Sequence, residues 1–128
     1  MAGEDSGSRP PVLVVEDEEP LRQAITEFLS QEFDVEAVED CAKAEQSLGA
    51  RQFAAIVCDH MLPGEPGLEF LERASRLQPQ AARILFTGYM NPELISRSIA
   101  VAGLSACLLK PLSLEELLQA VRKAVASS

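Results

Sequence analysis

Residues 12–15 read Val-Leu-Val-Val, an unbroken apolar run of strand length. A run that is apolar on both faces suits a strand covered on both sides, as in a parallel sheet. The period then changes. Pro20 stands at a first helical position, and Leu21, Ala24, Ile25, Phe28 and Leu29 recur at helical spacing. Arg22, Gln23, Thr26 and Glu27 occupy the other face.

The same change of period repeats along the chain. Strands are expected at 33–38, 54–58, 84–86 and 106–109, and helices at 40–49, 68–77 and 91–102 and from Ser113 onward. Asp40 is a cap for the second helix. Asn91-Pro92-Glu93 combines a cap, a first-turn proline and a first-turn acid. Ser113 with Glu116 spells a capping box. In the second strand Phe33, Val35 and Ala37 alternate with Asp34 and Glu36, the pattern of an edge strand with one wet face. Five strand–helix repeats imply parallel pairing through right-handed crossovers, hence a three-layer α/β sandwich. A chain of 128 residues fits one such domain. We expect a flexible leader over 1–10, the domain over 11–126 and a tail at 127–128.

Charge and cysteine content narrow the function classes. The net charge is −9, and the first 64 residues hold 14 acids against 4 bases. Such a surface repels nucleic acid and anionic membranes, and neither is an expected partner. No stretch approaches the ~20 apolar residues of a membrane span, and Met1 to Ser8 lack the apolar centre of a signal peptide, so a cytoplasmic location is expected. Cys41, Cys58 and Cys107 show no metal-binding spacing, and we read them as free thiols packed as small apolar groups.

In open parallel sheets, ligands bind beyond the carboxyl ends of the strands. After the first strand come Glu16 and Asp17, and after the third comes Asp59, followed by His60, which we place on the rim. Thr87 follows the fourth strand, and Lys110 then Pro111 follow the fifth. Three carboxylates, a hydroxyl and an ammonium should therefore meet. Clustered carboxylates repel one another unless a cation sits among them, and hard oxygen ligands favour Mg²⁺. A strand-end carboxylate can attack phosphorus, Lys110 can neutralise phosphoryl oxygens and Thr87 can donate a hydrogen bond.

The segments VLVVEDEEPLR (12–22), IVCDHMLPGEPGLEFL (56–71), ILFTGY (84–89) and LLKPLSLEEL (108–117) closely resemble the receiver domain of two-component response regulators, the CheY-like family. The resemblance implies a flavodoxin-like sheet of order 2-1-3-4-5. It makes Asp59 the phosphoacceptor and Asp17, Asp59 and the backbone carbonyl of Met61 the Mg²⁺ ligands, with Glu16 acting through water. Thr87 and Lys110 would hold the phosphoryl group, and Lys110–Pro111 would be a cis peptide. The donor would be a phosphohistidine on a sensor histidine kinase or phosphotransfer protein docking near Arg22, Gln23 and Thr26. No separate substrate turnover is expected. Output would pass through the face of the fourth helix, fifth strand and fifth helix, to an output domain or protein or to a second copy of the chain. Segment 83–100 weakly resembles receivers joined to cyclic-di-GMP phosphodiesterase or transcriptional modules.

One departure stands out. Many family members have Tyr or Phe at the switch position that pairs with Thr87, and this chain has Cys107. The ring motion of that switch has no counterpart there; Tyr89 is the only nearby aromatic. Cys107 supports an alternative, an interaction module that works without phosphorylation. A phosphatase with an aspartate nucleophile needs a second Asp where Met61 stands, and a dinucleotide binder needs a Gly-rich turn after Val15.

Overall fold

The apolar runs become the sheet. The computed structural model describes residues 9–88, 91, 93, 96, 97, 100 and 102–127. Its elements are β1 (Pro11–Val15), α1 (Glu19–Leu29), β2 (Asp34–Val38), α2 (Cys41–Ala50), β3 (Ala55–Asp59), α3 (Gly67–Leu77), β4 (Ala82–Thr87), β5 (Ala106–Leu109) and α4 (Leu114–Ser127). Every pairing is parallel, in the order β2-β1-β3-β4-β5. Between β4 and β5, Glu93, Ser96, Arg97, Ala100 and Ala102 are helical, as expected; Tyr89 and Pro92 lie outside the described residues, as do residues 1–8 of the expected leader and Ser128 of the expected tail. α4 runs one residue into that tail.

Val12 to Val15 are all fully buried because each face of the sheet is covered. Leu13, Val15, Ile56, Cys58 and Leu85 pack with Leu48, Phe70 and Leu71 of α2 and α3. Val12, Val14, Val57, Ile84 and Phe86 pack with Ile25 and Leu29 of α1 and Leu117 and Val121 of α4. Alternation along each strand thus feeds two separate cores, one per layer of helices. No helix among the described residues is long and apolar enough to cross a membrane.

The β2 edge follows the sequence pattern. Val35 and Ala37 pack inward, while Asp34 and Glu36 take the other face. Arg51 bonds Asp34 at 2.9 Å and Glu36 at 3.5 Å, and the Ser47 hydroxyl also donates to Glu36. Asp40 caps α2 by accepting the Lys43 amide at 2.8 Å, and Ser113 accepts the Glu116 amide at 3.2 Å at the start of α4.

Several boundaries moved, among them those of β4 and β3. β4 begins at Ala82, not 84, because Arg83 joins the strand while its guanidinium bonds the carbonyls of Ala81 (2.7 Å), Ala102 (2.7 Å) and Gly103 (3.4 Å). β3 extends through Asp59, which sits in register with Phe86. Gln78, buried just after α3, joins distant segments. Its Oε1 accepts the Phe53 amide at 2.8 Å, and its Nε2 donates to the carbonyls of Leu48 at 2.9 Å and Arg51 at 2.7 Å.

Candidate functional site

The residues that follow the strands meet at the carboxyl end of the sheet. Glu16 leaves β1 with its amide bonded to the carbonyl of Val38, the last residue of β2, at 3.0 Å. The Glu16 side chain is fully buried. Its Oε2 accepts the Glu18 amide at 2.8 Å, whereas Oε1 is buried with no hydrogen-bond partner. Asp17 is exposed beside it. Asp59 ends β3 and is 1% exposed. One carboxylate oxygen from each of Glu16, Asp17 and Asp59 lies within 4.8 Å of the others.

Lys110 enters from the end of β5. Its Nζ lies 2.9 Å from Asp59 Oδ2 and 5.6 Å from the centre of the Phe86 ring. The ring gives the ammonium an apolar, weakly attractive wall. The Met61 amide donates to Asp59 Oδ1 at 3.1 Å. Thr87 is buried at the end of β4, and its carbonyl accepts the Lys110 amide at 2.8 Å. The Lys110–Pro111 peptide is cis.

Electrostatics show what the pocket favours. Burial pushes the Glu16 carboxyl up to about 8; the Glu18 amide opposes that rise and neighbouring Asp59 adds to it. Desolvation alone would lower Lys110, but the hydrogen bond and charge of Asp59, with Glu16 and Glu18, outweigh it and raise it. One ammonium therefore faces three carboxylates, and one buried oxygen has no donor. That donor set, all hard oxygen, fits a divalent cation such as Mg²⁺.

His60 is held by its surroundings. Its amide donates to Phe86 at 2.9 Å, its carbonyl accepts the Gly67 amide at 2.8 Å, and its Nδ1 accepts the Leu68 amide at 3.4 Å. Cys107 pairs with Leu85 and packs, half-buried, on the α2–α3 side of the sheet, where burial pushes its thiol pKa up. A cysteine there has no ring to swing.

Two contributors escaped the sequence reading. Phe86 looked like core, yet its ring also lies beneath Lys110. Gly67 opens α3 so close to the end of β3 that a Cβ there would lie 2.1 Å from the Asp59 carbonyl oxygen. Its signal was a glycine directly before the helical period, where a capping residue would ordinarily stand.

Known proteins share this fold and much of this sequence. The family model described as response regulator receiver domain matches residues 12–122. The hydrogenase transcriptional regulatory protein HoxA of Bradyrhizobium diazoefficiens is 33% identical over 114 residues, 89% of this chain but 24% of that protein. A cyclic di-GMP phosphodiesterase of Thermotoga maritima is 31% identical across 81% of this chain and 28% of its own length. The chain thus spans about a quarter of these curated relatives. The signal receiver domain of an HD domain-containing protein from Pseudomonas fluorescens Pf-5 superposes with a TM-score of 0.85 at 30% identity, covering 93% of this chain and 88% of that one. With the family model spanning nearly the whole domain, the chain belongs to the response regulator receiver family of two-component signalling.

Proposed function

We propose that Asp59 accepts a phosphoryl group from a phosphohistidine of a sensor kinase or phosphotransfer protein, in a Mg²⁺-dependent reaction. The observation that carries this reading is the buried Asp59 carboxylate, set between Lys110 at 2.9 Å and the Glu16–Asp17 pair. Asp17, Asp59 and the Met61 carbonyl would hold the cation directly, and Glu16 through water. The cation supplies positive charge between two anions that would otherwise repel.

The chain's own residues do the rest. The Met61 amide on Oδ1 and Lys110 on Oδ2 fix the plane of the Asp59 carboxylate. As one of its oxygens bonds to phosphorus, the P–N bond of the donor breaks and the imidazole leaves with a proton from solvent. Lys110 then turns its charge to the phosphoryl oxygens, and the Thr87 hydroxyl donates to one of them. The phosphorylated state shifts a conformational equilibrium and alters the face of the segment between β4 and β5, β5 and α4. Partners on that face are an output domain, a separate protein or a second copy of the chain, in a cytoplasmic setting.

Incubation with Mg²⁺ and a small phosphodonor should add one phosphoryl mass to the wild type and none to Asp59→Asn. An unmodified wild type, or a modified Asp59→Asn, refutes the assignment. Cys107 favours one further reading, an interaction module indifferent to phosphorylation. Equal partner binding with and without beryllium trifluoride on Asp59 would select it.

A further inference from the structure

The turn between β1 and α1 carries two of the three converging carboxylates. Its main chain has little of its own to hold it. Glu18, at the cap of α1, makes no side-chain cap hydrogen bond, and Pro20 in the first turn has no N–H. The Glu16 amide is tied to Val38 and the Glu18 amide to the Glu16 carboxylate. The carbonyls are held from outside the turn. Arg22, one turn into α1, folds back so that its Nη1 lies 3.0 Å from the Glu16 carbonyl oxygen and 3.4 Å from that of Asp17. Its own carbonyl accepts the Thr26 hydroxyl at 2.7 Å. The sequence reading placed Arg22 on a docking face; its head group is also engaged on the two residues whose side chains face Asp59.

We infer that Arg22 is a positioning residue for the metal site, holding the Glu16–Asp17 main chain so that both carboxylates aim at Asp59. The inference rests on the Mg²⁺-dependent reading above. Both contacts come from one nitrogen, Nη1, so a single donor at the end of a long, planar-headed side chain bridges two adjacent carbonyls. It also brings a cation to a run of four acids, Glu16 to Glu19, without taking up a carboxylate oxygen that the metal needs. Residues that orient metal ligands typically carry about 10–100-fold in metal affinity. Arg22 is bonded to the ligands' main chain and not to Asp59, so its loss should raise the metal concentration required and leave the rate at saturating metal intact.

The test uses the full chain as wild type, Arg22→Met and Arg22→Lys. Mg²⁺ is titrated while backbone amide shifts are followed, and the Mg²⁺ dependence of phosphorylation by a small phosphodonor is measured in parallel. A small donor removes kinase docking from the comparison. Arg22→Met should raise the Mg²⁺ dissociation constant about 10–100-fold, with the same plateau rate. Arg22→Lys, which keeps the charge on a shorter stem without the planar head group, should fall between. Wild-type affinity in Arg22→Met overturns the inference, as does a lowered plateau at unchanged affinity. Should Arg22→Met fail to fold, wild-type affinity in Arg22→Lys overturns it. A wild type that binds no Mg²⁺ refutes the proposed function and this inference together; a wild type that binds while Arg22→Met binds equally refutes this one alone.

Discussion

Gly67→Ala places a methyl where the structure has no room. The added Cβ would lie 2.1 Å from the Asp59 carbonyl oxygen, 2.9 Å from its carbonyl carbon and 3.0 Å from the Cys58 sulfur. Relief requires the main chain of β3 or of α3 to move by about 1 Å, since a non-bonded pair sits well beyond 3 Å at its optimum. Neither is free to move. Asp59 is paired with Phe86, and the Gly67 amide is bonded to His60 at 2.8 Å. Overpacking of this kind costs about 1–3 kcal/mol, and with backbone on both sides the upper end applies. Urea unfolding in Mg²⁺ should therefore show a loss of about 3 kcal/mol. Phosphorylation by a small donor should also slow, because Asp59 itself is displaced. Gly49→Ala is the control. Its Cβ meets nothing within 4 Å at an exposed position in α2, so the same exchange should stabilise by about 0.5–1 kcal/mol. If Gly67→Ala unfolds within about 0.5 kcal/mol of wild type and is phosphorylated at the wild-type rate, close approach is not why glycine stands there.

Gln78→Leu leaves the Phe53 amide and the Leu48 and Arg51 carbonyls without their partner and should cost about 3 kcal/mol in urea unfolding; a loss under about 1 kcal/mol would mean water replaces it. Glu16, with its folded carboxyl raised from 4.5 to about 8, binds its proton more tightly in the folded state. In chelator, stability should therefore fall as pH rises from 4.5 towards 8, by about 3 kcal/mol at pH 7, and Mg²⁺ should flatten the slope. Glu16→Gln should abolish that slope, and a slope that persists in the variant assigns it to another group. The Glu65 carboxyl is lowered, first by its hydrogen bonds from Arg73, both at 2.7 Å. Its contribution is present above pH 4.5 and lost as pH falls through the lower folded value; solvent exposure limits it to about 1 kcal/mol, measurable as the coupling in a Glu65→Gln, Arg73→Met cycle.

The sheet was legible because its signals are local. A strand buried on both faces writes itself as Val12 to Val15, and the residue that follows is necessarily at the carboxyl end. Glu16, Asp17, Asp59 and Lys110 could therefore be gathered from sequence without any knowledge of distance, and Thr87 placed at the end of β4. What escaped acts across the chain or through the main chain. Arg22 works on carbonyls, which every residue possesses, so nothing in its identity marks the contact. Gln78 spans to Phe53 and Leu48, and no period connects those positions. β4 was read short because Arg83 interrupts an apolar run. A charged side chain can belong to a strand when carbonyls at the sheet's end are there to receive it.

The acidic β2 edge bears on how copies of this domain can meet. An outermost strand offers unpaired amides and carbonyls to any other strand, and charged side chains are the usual obstacle to such pairing. Asp34 and Glu36, tethered by Arg51 and Ser47, keep carboxylates fixed along this rim. Two copies joined there into a continuous sheet would bring acid against acid, with the repulsion strongest in dilute salt. The strand at the opposite rim, β5, carries no charged residue from Ala106 to Leu109, and Leu109 is 53% exposed. The molecule is thus polarised along its sheet, with a charged margin at β2 and an uncharged strand at β5.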